Sequence, residues 1–156
     1  MKKIIFSFFA VLLITGCTPP KEKTTVTVMT TIDVAKEEEA IKQVVQAALD
    51  AFIAKSYDAT VATWAHTPYI VRKDIVGWDS VSVFYQEAYK QFKDPEYQFK
   101  VFKASNFDIY INGNFASVFH DEHLERIWDG EEETSDARAH KYLEKIEGEW
   151  KVITLF

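Results

Sequence analysis

The sequence has few of the residues that build disulfide-bonded or loop-rich proteins: one cysteine, four prolines and five glycines. The lone Cys17 excludes an internal disulfide framework. The sequence also lacks a Gly-x-Ser-x-Gly motif and a glycine-rich phosphate loop, so it predicts neither a serine nucleophile elbow nor a phosphate cradle. The net charge is −6 and no basic stripe is present, which argues against nucleic acid as a partner.

The first apolar run is too short to span a bilayer, which takes roughly 20 apolar residues. It covers residues 4–13, is interrupted only by Ser7, and follows Lys2 and Lys3. A charged start followed by a short apolar core is typical of a secretory signal peptide.

The residues after this run are Ile14-Thr15-Gly16-Cys17. An aliphatic residue, two small residues and a cysteine resemble the lipobox of bacterial lipoproteins, in which the cysteine is lipidated and becomes the new N-terminus. The resemblance implies a lipid-anchored protein of the bacterial cell envelope that contacts the membrane through the lipid on Cys17. Thr18, where some lipoproteins have Asp, resembles lipoproteins that are sorted to an outer membrane. The alternatives are a buried thiol or cleavage at another position.

The chain divides into three predicted parts. Residues 1–16 are the signal peptide, residues 17–32 are the lipidated cysteine and a tether, and residues 33–156 are a single domain by length. The domain is predicted to begin with a helix over 34–55, which Asp33 caps and whose apolar residues recur at helical spacing.

Two further helices are predicted before the spacing of the apolar residues changes from helical to alternating. A short helix capped by Asp58 ends before Pro68, and a strand follows over 69–72. A third helix, with Asp79 as its cap, ends before Pro95.

Beyond Pro95 the apolar residues alternate with a period of two, which predicts strands. Asn112-Gly113-Asn114 is a strong hairpin signal between two of them. The alternation covers 97–101 and 107–111 up to this turn. It is followed by a strand at 116–125, an acidic loop at 129–136, a strand at 138–146, a turn at 147–148 and a last strand at 150–156.

Helices followed by hairpin strands indicate an α+β protein, with three helices packed on one face of a curved antiparallel sheet. The predicted elements follow the order α-α-β-α-β-β-β-β. Three short sequences lie at fixed places in that order: Gly77-Trp78-Asp79 opens the third helix, Gly113–Ala116 lies at the hairpin and Gly148–Val152 lies at the end. Together they resemble the nuclear transport factor 2-like superfamily, which includes ketosteroid isomerases, polyketide cyclases and plain binding domains. The resemblance implies a cone-shaped fold with an internal cavity but no particular reaction.

Alternation predicts which side chains point into the cone. Because Ala116 and Val118 are apolar, they should face the helices, and His120, Glu122 and Leu124 share their side.

In the superfamily pattern, an arginine and a small polar residue stand ten and eight positions before the glycine of the last turn. Arg138 and His140 match this spacing to Gly148, so the resemblance implies that Arg138, His140 and Tyr142 also point inward.

The predicted site residues follow from these faces. His120 or His140 is the candidate base, Glu122 the second acid, and Tyr69 or Tyr142 a hydrogen-bond donor to an oxyanion. The candidate ligand-binding residues are Trp64, His66, Tyr69, Trp78, Tyr85, Arg138 and Tyr142.

Structural interpretations of these residues stay open. His66 could cap the second helix, and His120 and Glu122 could form a satisfied polar pair, with or without Arg138. The four tryptophans could be core residues.

No metal site and no cofactor are predicted. His120-Asp121-Glu122-His123 looks like a ligand cluster, but on a strand His120 and His123 point to opposite faces. A tight hairpin would place His140 opposite Leu124, roughly 13 Å from His120 at the rise of a strand. Zinc ligands lie within about 2.3 Å of the ion.

Three functions remain. The first is a lipid-anchored domain that binds a small, partly apolar ligand or a peptide in the cone. The second is an isomerase, dehydratase or hydrolase of the same fold that uses His/carboxylate acid–base chemistry. The third is an interaction module that forms a homodimer through the open sheet face, with a vestigial cavity.

Overall fold

The computed structural model describes residues 33–156, so the predicted signal peptide, the lipidated Cys17 and the tether lie outside the described residues. No helix within 33–156 combines the length and the apolar character that crossing a bilayer requires. The elements are α1 (Val34–Ile53), α2 (Tyr57–Thr63), β1 (Val71–Arg72), β2 (Ile75–Val76), α3 (Trp78–Gln91), β3 (Gln98–Asn112), β4 (Phe115–Trp128), β5 (Glu131–Ile146) and β6 (Glu149–Leu155).

The predicted α+β class is confirmed, with three helices against one six-stranded sheet of order β2-β1-β6-β5-β4-β3. The sheet is mixed, because β1 runs parallel to β6 while every other pair is antiparallel. The strand predicted at 69–72 is shorter and belongs to a small β1–β2 hairpin. Two bulges in β3, between Phe99 and Val101 and between Ser105 and Asp108, bend the sheet.

Helix α1 is attached to the sheet along its whole length. Asp33 caps it by accepting a hydrogen bond from the Lys36 amide at 3.3 Å, and its buried face includes Ile41 and Val45. Near the first turn, the Glu37 carboxylate accepts hydrogen bonds from Lys145 Nζ and Trp150 Nε1. The first turn of the helix is therefore held to β5 and β6 by polar contacts, and the later turns pack on the sheet through apolar side chains.

Two predicted helix caps are each wrong by two residues. Ser56, not Asp58, caps α2, since its hydroxyl accepts from the Ala59 amide at 3.2 Å. Gly77, not Asp79, is the N-cap of α3, with φ of 83°. Both aspartates instead lie in the first turns, where their charge complements the helix dipole.

The acidic loop predicted at 129–136 is wrong. Asp129 and Gly130, with φ of 54° and 80°, form a two-residue turn, and β5 begins at Glu131. The acidic side chains are held in the ladder by neighbouring cations: Glu132 pairs with Lys100 at 2.5 Å and Glu133 with Arg126 at 2.6 Å. The acidic run is therefore an exposed strand rather than a loop.

The predicted inward face of β4 is confirmed, because Ala116, Val118 and His120 are buried. On β5 the predicted face is wrong. The buried residues are Ala139, Lys141 and Leu143, whereas Arg138, His140 and Tyr142 lie on the outer face of the sheet. The physical reason is the register: with a two-residue turn, His120 pairs with Ala139, and paired residues share a face.

Candidate functional site

A cavity of 160 Å³ lies between the helices and the inner face of the sheet. Its walls are mostly aromatic and aliphatic, with a few charged groups. The lining residues come from all layers of the fold: Ala48, Leu49, Phe52, Thr60, Trp64, Arg72, Tyr85, Phe102, Glu122, Lys141, Val152 and Leu155. We call this space the inner cavity.

A wider cleft of 770 Å³ adjoins the inner cavity and shares Phe52, Arg72 and Phe102 with it. Its other walls come from α3, the start of β3 and the end of β4. They include Phe84, Phe92, Phe99, Leu124 and Trp128. We call this space the outer cleft. The two spaces together give the cone an apolar interior with a wide mouth.

Aromatic packing fixes the shape of the inner cavity. The Phe52 ring of α1 lies within 6.2 Å of the rings of Tyr85, Phe99 and Phe102. Trp64 follows α2 and is held against β6 by the parallel bridge to Val152, and its ring lies 5.8 Å from Tyr85. These contacts join all layers around the cavity, so the space is built into the core.

Three titratable side chains form a buried network at the sheet wall. Lys141 Nζ lies 2.6 Å from Glu122 Oε1 and 3.0 Å from His120 Nε2. His120 Nε2 also lies 3.0 Å from the same carboxylate oxygen. His120 is fully buried, and the side chains of Lys141 and Glu122 are 4% and 16% exposed. Glu122 and Lys141 line the inner cavity, and His120 supports them without lining it.

The network is an ion pair beside a neutral imidazole. Burial raises the pKa of Glu122, but the hydrogen bonds from His120 and Lys141 and the charge of Lys141 outweigh it and lower this pKa to about 2. Burial lowers the pKa of Lys141, and Glu122 opposes that shift. Burial also lowers the pKa of His120, against the effect of Glu122. The contact of 2.6 Å between Lys141 and the ionised Glu122 carboxylate is therefore an ion pair, and His120, whose pKa lies below its ordinary value, is the neutral member of the network.

One nitrogen of this network has no partner. His120 Nδ1 is buried and forms no hydrogen bond within the described residues, while Phe107 stacks on the ring at 5.4 Å. Nε2 lies near both a donor and an acceptor, so either tautomer leaves Nδ1 unsatisfied. Such an atom in a native core is uncommon.

Two charged residues of the inner cavity, Lys141 and Arg72, are not among the residues predicted from the sequence. Lys141 is not named among the predicted site residues, although the alternation of Ala139, Lys141 and Leu143 could have revealed it. Arg72 lies on a two-residue strand whose place is set by parallel pairing with β6, which no local pattern indicates. Its guanidinium carbon lies 3.7 Å from the centroid of the Phe84 ring.

The sequence-predicted site residues fall into separate groups. Trp64, Tyr85 and Glu122 line the inner cavity, and His120 is directly behind it. His66 and Trp78 stack on each other at 4.0 Å in a separate surface hollow, and His66 Nε2 lies 3.1 Å from the Val61 carbonyl at the end of α2.

The remaining predicted site residues lie outside the cone. Tyr69 is exposed, and its hydroxyl donates to Glu144 at 2.5 Å. Arg138 forms ion pairs with Asp108 and Asp121 on the outer face. His140 stacks on Phe119 at 3.9 Å beside Tyr142. The expectation that His140 points into the cone, as an alternative base to His120, is therefore wrong, because the sheet separates the two histidines.

Metal-ligating residues do not converge within 33–156: no group of three His, Cys, Asp or Glu side chains has suitable geometry. His120 and His123 point to opposite faces, as the alternation of a strand requires. His123 contacts Asp136 at 2.8 Å and Glu125 at 3.1 Å on the outer face. These two carboxylates raise its pKa, with Asp136 the larger cause.

A curved mixed sheet covered by three helices, with a cavity between them, defines the cone-shaped nuclear transport factor 2-like fold. Solved structures of this fold match the chain with low sequence identity, which shows the fold alone. No protein-family model matches the sequence, and a comparison with curated proteins finds no significant match.

Three of the matching structures illustrate the range. A candidate dehydratase of the nuclear transport factor 2-like family from Streptomyces avermitilis matches with 14% identity and a TM-score of 0.64, over 78% of this chain and 94% of its own. A candidate aromatic ring hydroxylase from Novosphingobium aromaticivorans has 17% identity and a TM-score of 0.62, over 78% and 87%. A nuclear transport factor 2-like protein of unknown function from Shewanella oneidensis has 18% identity and a TM-score of 0.58, over 76% and 96%.

Proposed function

We propose that this protein is a lipid-anchored domain of the bacterial cell envelope that binds a small, partly apolar ligand inside the cone. The observation that carries the proposal is the apolar inner cavity of 160 Å³ next to an outer cleft of 770 Å³. Small-molecule sites are typically concave and mostly apolar, with a few polar groups that fix orientation. The charged side chains of Arg72, Glu122 and Lys141 match that description.

Filling the inner cavity tests this proposal. Ala48 is buried and lines the inner cavity, whereas its neighbour Ala47 is exposed on the other side of α1. Ala48→Leu should weaken the binding of a small apolar probe, such as phenylpropanol, at least tenfold. Ala47→Leu adds the same atoms to the same helix and should change the affinity less than twofold. Equal affinities in both variants, measured by calorimetry, would contradict binding in the inner cavity.

The proposed anchor is a lipid on Cys17, and its support is the order of signal, small residues and cysteine in the sequence. More than one acyl chain is needed for stable attachment. Metabolic labelling with a clickable fatty acid should mark the wild-type protein in the outer-membrane fraction. Cys17→Ser should abolish the label. A wild-type protein without label would refute the anchor and leave the proposal for the cavity unaffected.

A second candidate is an acid–base enzyme, favoured by the buried network of His120, Glu122 and Lys141. An isomerase, dehydratase or hydrolase would use the groups that line the cavity, and the resemblance to a candidate dehydratase adds to this idea. Glu122 with a pKa of about 2 is a weak base at neutral pH, which favours binding over catalysis. Turnover of a bound β-hydroxy or enone compound, lost in Glu122→Gln with binding kept, would establish the enzyme instead.

The third candidate is a homodimer through the outer face of the sheet. Phe156 and Tyr142 are 63% and 40% exposed and lie next to the His140–Phe119 stack. Exposed apolar patches of this kind mark interaction sites more often than single exposed side chains do. Light scattering should show a dimer that Tyr142→Asp dissociates. A monomer at high concentration would refute the proposed dimer.

A further inference from the structure

Arg72 is a cation at the centre of the proposed site. It lines both the inner cavity and the outer cleft. Within residues 33–156 it forms no ion pair with any carboxylate. The charged group therefore stands where the two spaces meet and lacks a counter-charge from the described residues.

Aromatic rings hold the guanidinium in place, and one of its nitrogens has no hydrogen-bond partner in the described residues. Its central carbon lies 3.7 Å from the centroid of the Phe84 ring and 5.4 Å from that of Tyr85. Stacking on aromatic rings fixes the plane of a guanidinium but accepts none of its five N–H bonds. The Arg72 Nε atom is buried and has no hydrogen-bond partner in the described residues.

The other charges at the walls already have partners. Glu122 is neutralised by Lys141 at 2.6 Å, so it adds little net charge to the inner cavity. At the outer cleft, Arg126 pairs with Glu133 outside it, and Glu87 pairs with Lys90. Lys73, next to Arg72 and exposed, is a further cation at the mouth. An acidic protein with a net charge of −6 thus has a site that favours an anion.

We propose, on the basis of the binding function above, that the ligand is a small organic carboxylate. Its apolar body would pack against Phe52, Phe102 and the other aromatic walls, and its carboxylate would pair with the Arg72 guanidinium. A planar guanidinium matches a carboxylate through two parallel hydrogen bonds, which a single ammonium group cannot provide. The uncompensated cation thereby sets the chemical class of the ligand.

Three probes with one skeleton test the proposal on the full-length protein: phenylpropanoate, the neutral phenylpropanol and the cationic phenylpropylamine. Calorimetry should show that the wild type binds the carboxylate at least tenfold more tightly than the alcohol, and the amine least. Arg72→Met keeps the apolar stem and should reduce this preference to less than twofold. Lys73→Met removes the neighbouring charge and should leave the preference above fivefold.

The results separate the carboxylate ligand from the proposed binding function on which it rests. Equal affinity for carboxylate and alcohol in the wild type overturns the carboxylate ligand and leaves the binding function intact. Failure of all three probes to bind contradicts both. If Arg72→Met does not fold, Arg72→Lys takes its place, because it keeps the charge and loses the paired geometry. The preference should then fall at least threefold, and an unchanged preference overturns the assignment to Arg72.

Discussion

Glu122→Gln removes the negative charge from the buried network while keeping the shape of the side chain. In the folded protein the pKa of this carboxyl is lowered from 4.5 to about 2. Each pKa unit corresponds to about 1.4 kcal/mol, so the ionised carboxylate stabilises the fold by about 3 kcal/mol. Removing one member of a buried ion pair typically costs about 3–5 kcal/mol, which agrees with this magnitude.

The lowered pKa fixes the sign of the pH dependence. A carboxyl whose folded pKa lies below its unfolded pKa stabilises the protein above the unfolded value, and that stability is lost as the pH falls through the folded value. The wild type should therefore lose about 3 kcal/mol more than Glu122→Gln between about pH 5 and pH 2. The other carboxylates titrate in both proteins, so their effect drops out when the unfolding free energy of the variant is subtracted from that of the wild type.

Urea denaturation monitored by tryptophan fluorescence measures both effects. At pH 7 the free energy of unfolding should fall by about 3 kcal/mol in Glu122→Gln. Glu125→Gln, on the exposed outer face beside His123, is the matched control and should change it by less than about 0.5 kcal/mol. A loss below about 1 kcal/mol in Glu122→Gln at pH 7 would refute the buried ion pair. The same loss of unfolding free energy on acidification in the wild type and in Glu122→Gln would also refute it.

Three further predictions concern the fold. Leu143→Ala should destabilise the protein by about 2–5 kcal/mol, because Leu143 is fully buried, whereas the neighbouring Tyr142→Ala should cost less than about 1 kcal/mol. If urea denaturation showed a larger loss for Tyr142→Ala than for Leu143→Ala, Tyr142 would point inward, as the sequence predicted. Gly148→Ala should cost about 1–2 kcal/mol, since φ is 89° there, and an unchanged midpoint would contradict the turn. Asp33→Ala should cost about 1 kcal/mol through the lost cap, and an unchanged melting temperature would show that α1 starts elsewhere.

The alternation of β4 was sufficient to predict its inner face, because a strand with one buried side has a strict period of two. The adjacent strand was predicted wrongly for a reason that lies outside it. A loop was predicted at 129–136, where the structure has a two-residue turn, and His140 therefore pairs with Phe119 rather than with Leu124. The inward face of β5 was inferred from the spacing to Gly148, but Phe119 points outward, so His140 and its neighbours Arg138 and Tyr142 lie on the outer face.

This error also hid the network that the structure places at the cavity. With β5 inverted, Arg138 and His140 occupied the predicted cavity and Lys141 was outside it. The spacing to Gly148 was a resemblance and carried no information about the turn that sets the register. Arg72 could not be predicted in the same way, since its position depends on a long-range parallel pairing with Leu155.

The central claim is that the space between the helices and the inner face of the sheet accepts a ligand. Intermolecular nuclear Overhauser effects between phenylpropanoate and the full-length protein test this claim most directly. We expect contacts from the phenyl protons to the methyl group of Ala48 and to the ring of Phe102, both of which line the inner cavity. Contacts confined to Tyr142 and Phe156 on the outer face, with none to Ala48, would contradict it.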